Sequence, residues 1–144
     1  MNNNKWIWIL GLVIILGILF YIPRMGKQTR VTDVPCLVAT MPLKQHIHPV
    51  LKITVDGTRE IIPASIGLDG CERALHMHDD SGTLHVETQD DRVYTLGDFM
   101  TVWGKTIKRS GYAVTMTVDD KPSTDLGTLV LKDKQQILLI YTKK

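Results

Sequence analysis

No stretch of this chain interleaves basic residues with aromatics, and its charge is close to balanced. The formal net charge is +2, from 17 Lys and Arg against 15 Asp and Glu. Lys5 and Arg24 flank an apolar run near the N-terminus, and from Gly26 onward the two signs cancel. A phosphate backbone would find little to hold, which excludes charge-driven nucleic-acid binding. There is no nucleotide loop, no Rossmann glycine fingerprint and no thioredoxin-like cysteine pair. Asp79-Asp80 lacks the frame of an EF-hand, so calcium chemistry is not expected. Cysteine is scarce, with only Cys36 and Cys71, and histidine is missing before His46 and after His85.

What is present is therefore concentrated. All 5 histidines, His46, His48, His76, His78 and His85, fall in one stretch, organised as His46-Ile47-His48, His76-Met77-His78 and His85-Val86-Glu87. Residues i and i+2 of an extended chain share a face, so each pair points two ligand-type side chains one way. A metal site is the favoured reading. A polar hydrogen-bonding cluster and simple coincidence are the alternatives.

Trp6 to Ile22 is an unbroken apolar run with glycines, ended by Pro23 and Arg24. As a helix it would span about 26 Å, near the thin end of a bilayer core. Trp6, Trp8 and Tyr21 stand near its ends, where aromatics favour the headgroup region. A cleaved signal peptide is the rival, but no small-residue cleavage site follows Pro23. The expected organisation is thus a transmembrane signal-anchor over residues 1–23, a proline-containing stalk or arm over 24–45, and a β-rich domain over 46–144. Arg24, Lys27 and Arg30 would by charge counting hold that domain in the cytoplasm. A lone N-terminal helix with a very short head argues the opposite, and export to the periplasmic side is favoured.

In an oxidising compartment Cys36 and Cys71 would form one disulfide, worth roughly 3 to 4 kcal/mol by loop entropy. The alternative makes Cys71 a thiolate ligand beside His76 and His78, which would suit a soft metal.

Leu51, Ile53 and Val55 alternate with Lys52 and Thr54, and Asp56-Gly57 signals a type I′ turn, with Arg59 to Ile62 returning. In the next hairpin Asp79 to Gly82 is the loop, which sets Met77 opposite Leu84 and His76 opposite His85. That register gathers Leu75, Met77, Leu84 and Val86 on one side and His76, His78, His85 and Glu87 on the other. Tyr94 to Gly104 predicts a helix: Thr95 caps it with Asp98 reciprocating, Leu96, Phe99, Met100 and Trp103 form its stripe, and Gly104 stops it. Val114, Met116 and Val118 predict a strand, with a turn at Asp119-Asp120-Lys121-Pro122. Ile137 to Tyr141 is apolar on both faces, as a central strand would be. The expected fold is α+β: a small, mostly antiparallel sheet with one short helix packed on it, β-grasp-like, with a β-sandwich as the alternative.

At His46-x-His48, Cys71 and Leu75-His76-x-His78-Asp79-x-Ser81-Gly82-x-x-His85-Val86-Glu87 the chain resembles a family of small uncharacterised exported or membrane-anchored domains. The likeness extends to Val55-Asp56-Gly57, Ile62-Pro63-Ala64-x-Ile66-Gly67, Thr95-Leu96-Gly97-Asp98-Phe99 and Trp103-Gly104. It implies export and carries no established activity. Met77 stands where a small hydroxyl residue is more usual, and Pro49 follows the first histidine pair. Metal-binding cupins also begin with H-x-H, but Gly82 and Thr83 occupy the place of their early glutamate, so their oxygenase chemistry is not invoked.

His46, His48, His76, His78, His85 and Glu87 are accordingly the expected ligands, for copper or zinc. Copper is slightly favoured by the exported context and by the soft option that free cysteines would leave. The expected function is a membrane-anchored extracytoplasmic metal carrier or accessory subunit, handing metal to a donor or acceptor protein or serving a membrane complex. The alternative is a non-metal structural or partner-binding module. Turnover is not expected: Glu87 and Asp79 serve equally well as orienting or turn residues, and Ser81 in a D-D-S-G turn is ordinarily a turn former.

Overall fold

Two Asp-containing turns fold the chain into a pair of hairpins that flank one long central strand. Asp56 and Gly57 take φ of 48° and 79°, and Asp119 and Asp120 take 50° and 63°. These left-handed conformations match the twist of paired strands and are tolerated by Asp and Gly. The computed structural model describes residues 34–144, so the expected anchor and the first part of the arm lie outside the described residues. Among those described, no helix is long and apolar enough to cross a membrane.

In chain order the elements are β1 (Gln45–Ile47), β2 (Val50–Val55), β3 (Thr58–Glu60), β4 (Leu75–His76), β5 (His85–Thr88), α1 (Leu96–Trp103), β6 (Tyr112–Val118), β7 (Lys121–Ser123) and β8 (Gln136–Lys143). They form a small α+β fold in which every strand pairing but one is antiparallel. One sheet has five strands in the order β3-β2-β8-β6-β7, and the other has three in the order β1-β5-β4. The exception is β2 with β8, which run parallel from Val50 opposite Gln136 to Val55 opposite Tyr141. A parallel pair needs a long crossover, and everything from β3 to β7, including α1, lies within it.

The expected central strand is β8, with Ile137, Leu139 and Tyr141 turned into the core. They meet Leu51 and Ile53 of β2, Met116 of β6, and Leu96, Phe99 and Met100 of α1 in one cluster. Burial of each such side chain contributes roughly 1.5–3 kcal/mol. The helix caps follow the sequence. The Thr95 side chain accepts from the Asp98 N–H, Asp98 accepts from the Thr95 N–H at 2.8 Å, and Gly104 is left-handed at φ 73°.

Three features depart from the sequence reading. The histidine hairpin does not join the main sheet; with β1 it makes a second sheet whose Leu75, Met77, Leu84 and Val86 enter the same core. Lys121 and Pro122, expected in a turn, belong to β7. The strand lies on an edge, where proline's missing N–H breaks no ladder. The first hairpin returns only over Thr58–Glu60, and Ile61 beyond it is exposed.

The sheets are joined where β1 runs on into β2. Leu51 N–H donates to the Gly82 carbonyl at 2.8 Å, and Leu84 N–H donates to the Pro49 carbonyl at 2.9 Å. Gly82 has φ +94°, and a Cβ there would collide with the Leu51 carbonyl. Glycine alone allows this approach, which holds the histidine hairpin against the main sheet.

Candidate metal site

Strand pairing delivers the histidines to one place. His76 stands opposite His85 across β4 and β5, in the register read from the sequence, while β1 docks on the other edge of β5 with His46 opposite Glu87. His48 follows β1, its backbone N–H held by the Asp133 carboxylate at 3.0 Å. All five imidazoles contact at least one other, with ring centroids 4.5 Å apart for His46 and His48 and 5.0 Å for His76 and His85. His78 completes the group, 4.6 Å from the His85 ring.

The donor atoms converge as well. His46 Nε2 is 3.4 Å from His85 Nδ1 and 3.0 Å from Glu87 Oε1, which is 3.5 Å from His85 Nδ1. His76 Nε2 is 3.2 Å from His78 Nε2. These residues form a histidine and carboxylate cluster able to coordinate a metal ion. Glu72, absent from the expected set, also reaches it, with Oε1 3.4 Å from His76 Nε2. Its sequence signals were faint: a position four residues before His76 and next to Cys71.

His76 is the best oriented of these donors. Its Nδ1 lies 2.8 Å from the Arg73 carbonyl, which can only accept, so Nδ1 donates there and in the neutral ring the lone pair is on Nε2, facing His78. A backbone carbonyl behind a histidine fixes tautomer and ring orientation in metal sites in the same way. The side chain is 0% exposed, so that lone pair is held within the protein. Gly67 backs onto it at φ +79°, where a Cβ would strike the Leu75 carbonyl and crowd His76.

Electrostatics favour the neutral ring at His85. Burial holds the His85 imidazole below its ordinary 6.5, and charge repulsion from His76, His78 and His48 adds to this, while the Glu87 carboxylate pulls the other way. Asp79 and Ser81 do turn work: Ser81 N–H donates to Asp79 Oδ1 at 3.0 Å, and Ser81 Oγ donates to Thr83 Oγ1. Side-chain and backbone hydrogen bonding from Ser81 lowers the Asp79 pKa.

Cys36 and Cys71 are joined in a disulfide, with Cα atoms 5.8 Å apart. The alternative in which Cys71 supplies a thiolate is thereby corrected, since its sulfur is engaged, and the soft option behind the preference for copper goes with it. The bridge fastens residues 34–41 beside the site. Leu37 N–H donates to the Glu72 carbonyl, Ala74 N–H to the Pro35 carbonyl, and the Arg73 guanidinium to the Val34 carbonyl. Gln89 holds the same segment through Val38 and Met41. The disulfide therefore borders Glu72 and Arg73, one a candidate ligand and the other the residue whose carbonyl orients His76.

No protein-family model, curated protein or solved structure matches the chain.

Proposed function

We propose that this protein binds a first-row transition metal in an extracytoplasmic, membrane-anchored domain, as a copper or zinc carrier or accessory subunit. One observation carries the reading: the buried Nε2 lone pair of His76 is aimed by the Arg73 carbonyl into a cluster of imidazole and carboxylate donors. An all nitrogen and oxygen set suits copper(II) and zinc alike. The membrane anchor rests on the apolar run Trp6 to Ile22, and export rests on that run together with the disulfide, which persists in oxidising compartments. Membership of the exported-domain family rests on the histidine signature and on the surrounding Ile62-to-Gly67 and Thr95-to-Gly104 motifs. A β-grasp-like assignment is supported by the order β3-β2-β8-β6-β7 around a parallel central pair, with hairpins before and after the helix.

The test is metal analysis of the full chain purified in detergent, followed by a structure after loading with copper(II) or zinc. Stoichiometric metal held by at least two of the five histidines is the expected result. No bound metal at micromolar concentration would overturn it. The cluster would then be a hydrogen-bonded partner-binding surface.

A further inference from the structure

The donors outnumber what one ion can use. Five imidazoles and two carboxylates, Glu72 and Glu87, meet in the three overlapping groups His46/His48/His85, His76/His78/His85 and Glu72/His76/Glu87. A first-row ion takes about four to six ligands. The overlap has a pattern. The rings of His46, His48 and His85 form one triangle with centroids 4.5, 4.7 and 5.7 Å apart. Those of His76, His78 and His85 form a second, at 4.8, 5.0 and 4.6 Å. The triangles share one corner, His85. The carboxylate beside it is shared too, since Glu87 Oε1 lies 3.0 Å from His46 Nε2, 3.5 Å from His85 Nδ1 and 4.0 Å from His76 Nε2.

We infer that the cluster is a two-metal centre, which rests on the metal-binding reading and deepens it. The first position is built from His46 on β1, His48 just beyond it, and His85 and Glu87 on β5. The second is built from His76 and His78 on the β4 side, with Glu72 from the segment fastened by the disulfide. Glu87 stands between them. Donors around a tetrahedral ion with bonds of about 2.0–2.2 Å stand about 3.3–3.5 Å apart. His46 Nε2 to His85 Nδ1 is 3.4 Å, His76 Nε2 to Glu72 Oε1 is 3.4 Å, and His76 Nε2 to His78 Nε2 is 3.2 Å, so one donor pair in the first position and two pairs through His76 in the second already have this spacing. A shared carboxylate offsets the repulsion of two cations at the separation of about 3.5–4 Å usual for such pairs. The ligand class is a pair of borderline divalent ions, copper(II) or zinc, since five nitrogen donors disfavour calcium and magnesium.

The experiment uses the full chain in detergent, stripped with chelator and reloaded with copper(II) in steps, reading retained metal and the electron paramagnetic resonance signal. Two retained equivalents are expected, with the signal per copper falling as the second enters and a half-field transition appearing, because neighbouring spins couple. One retained equivalent with full signal overturns the pair and leaves a single metal site. No retained copper, with none of an equal zinc load, overturns both the pair and the metal-binding reading. Glu72→Gln separates the positions. Its side chain is 49% exposed, so the fold does not depend on it. The variant should retain one copper with full signal and an intact disulfide by mass. Two coupled coppers in this variant would overturn the second position as drawn.

Discussion

Two polar clusters in this protein make an instructive pair. Against the main sheet, Arg109 of the loop before β6 forms a two-pronged ion pair with Glu60, through Nη1 and Nη2, and its guanidinium lies 4.0 Å from the centre of the Tyr141 ring. The Tyr141 hydroxyl in turn donates to the Ile107 carbonyl at 2.7 Å. There cation meets anion, donor meets acceptor, and the hydrogen bonds donated to Glu60 hold the guanidinium charged beyond its ordinary range. The histidine cluster is assembled differently: ring nitrogens face ring nitrogens and carboxylate oxygens at 3.0 to 3.5 Å. Two lone pairs cannot satisfy one another without a proton or a cation between them. The first arrangement is complete as it stands and serves the fold, whereas each ring-to-ring contact of the second needs an imidazole proton or a cation to complete it.

The contrast can be broken most severely at the bridge between Cys36 and Cys71. Reduction should lower stability by about 3–4 kcal/mol, read by denaturant titration, because the unfolded chain regains the loop's freedom. It should also weaken metal binding by roughly tenfold, since Glu72 and Arg73 lie next to the bridge and outer-shell supports typically matter by that much. Unchanged affinity in the reduced protein would detach the arm from the site.

His76→Ala comes next. It removes the buried, pre-oriented donor, and calorimetry should show metal affinity lowered about 100-fold, or about 2.7 kcal/mol. Arg109→Ala is the matching control on the other cluster. Its pair with Glu60 is about one-quarter exposed and partly screened, so the expected loss is only about 1 kcal/mol of stability, with metal affinity unchanged. Metal loss in Arg109→Ala, or none in His76→Ala, would erase the distinction drawn between the two clusters.

The smallest effect is the dependence on pH. The His85 pKa is lowered on folding, so its contribution to stability is complete above the ordinary value of 6.5 and is lost as pH falls through the lower folded value. In metal-free protein, His85→Asn should flatten the decline of stability below about pH 6.5. An identical slope in both proteins would show that His85 is not held neutral by its neighbours.

Much of the scaffold was legible because local patterns and the fold demand the same thing. The alternation Leu75, Met77 against His76, His78, and Leu84, Val86 against His85, Glu87, admits one register that buries the apolar set, and His76 does face His85. Thr95, Asp98 and Gly104 mark the helix ends because orphan backbone groups at those ends need such residues. The bridge between Cys36 and Cys71 needed only two cysteines and an expectation of export. Each of these is decided by a spacing of a few residues or by simple pairing arithmetic.

The site itself was legible as a list of residues and hidden as a place. Composition determined that the candidate ligands would be imidazoles and carboxylates, and strand periodicity determined which of them share a face. Only the tertiary structure decided that β1 docks beside β5 and brings His46 to Glu87, that the histidine hairpin forms its own sheet, and that Glu72 joins the cluster from beside the disulfide. It also decided that His76 is fully buried with its tautomer set by the Arg73 carbonyl. Those outcomes depend on contacts between segments distant in the chain, on the close approach at Gly82 and on one shared core. A period of two residues specifies a face, but which other face it meets is settled by the packing of the whole chain.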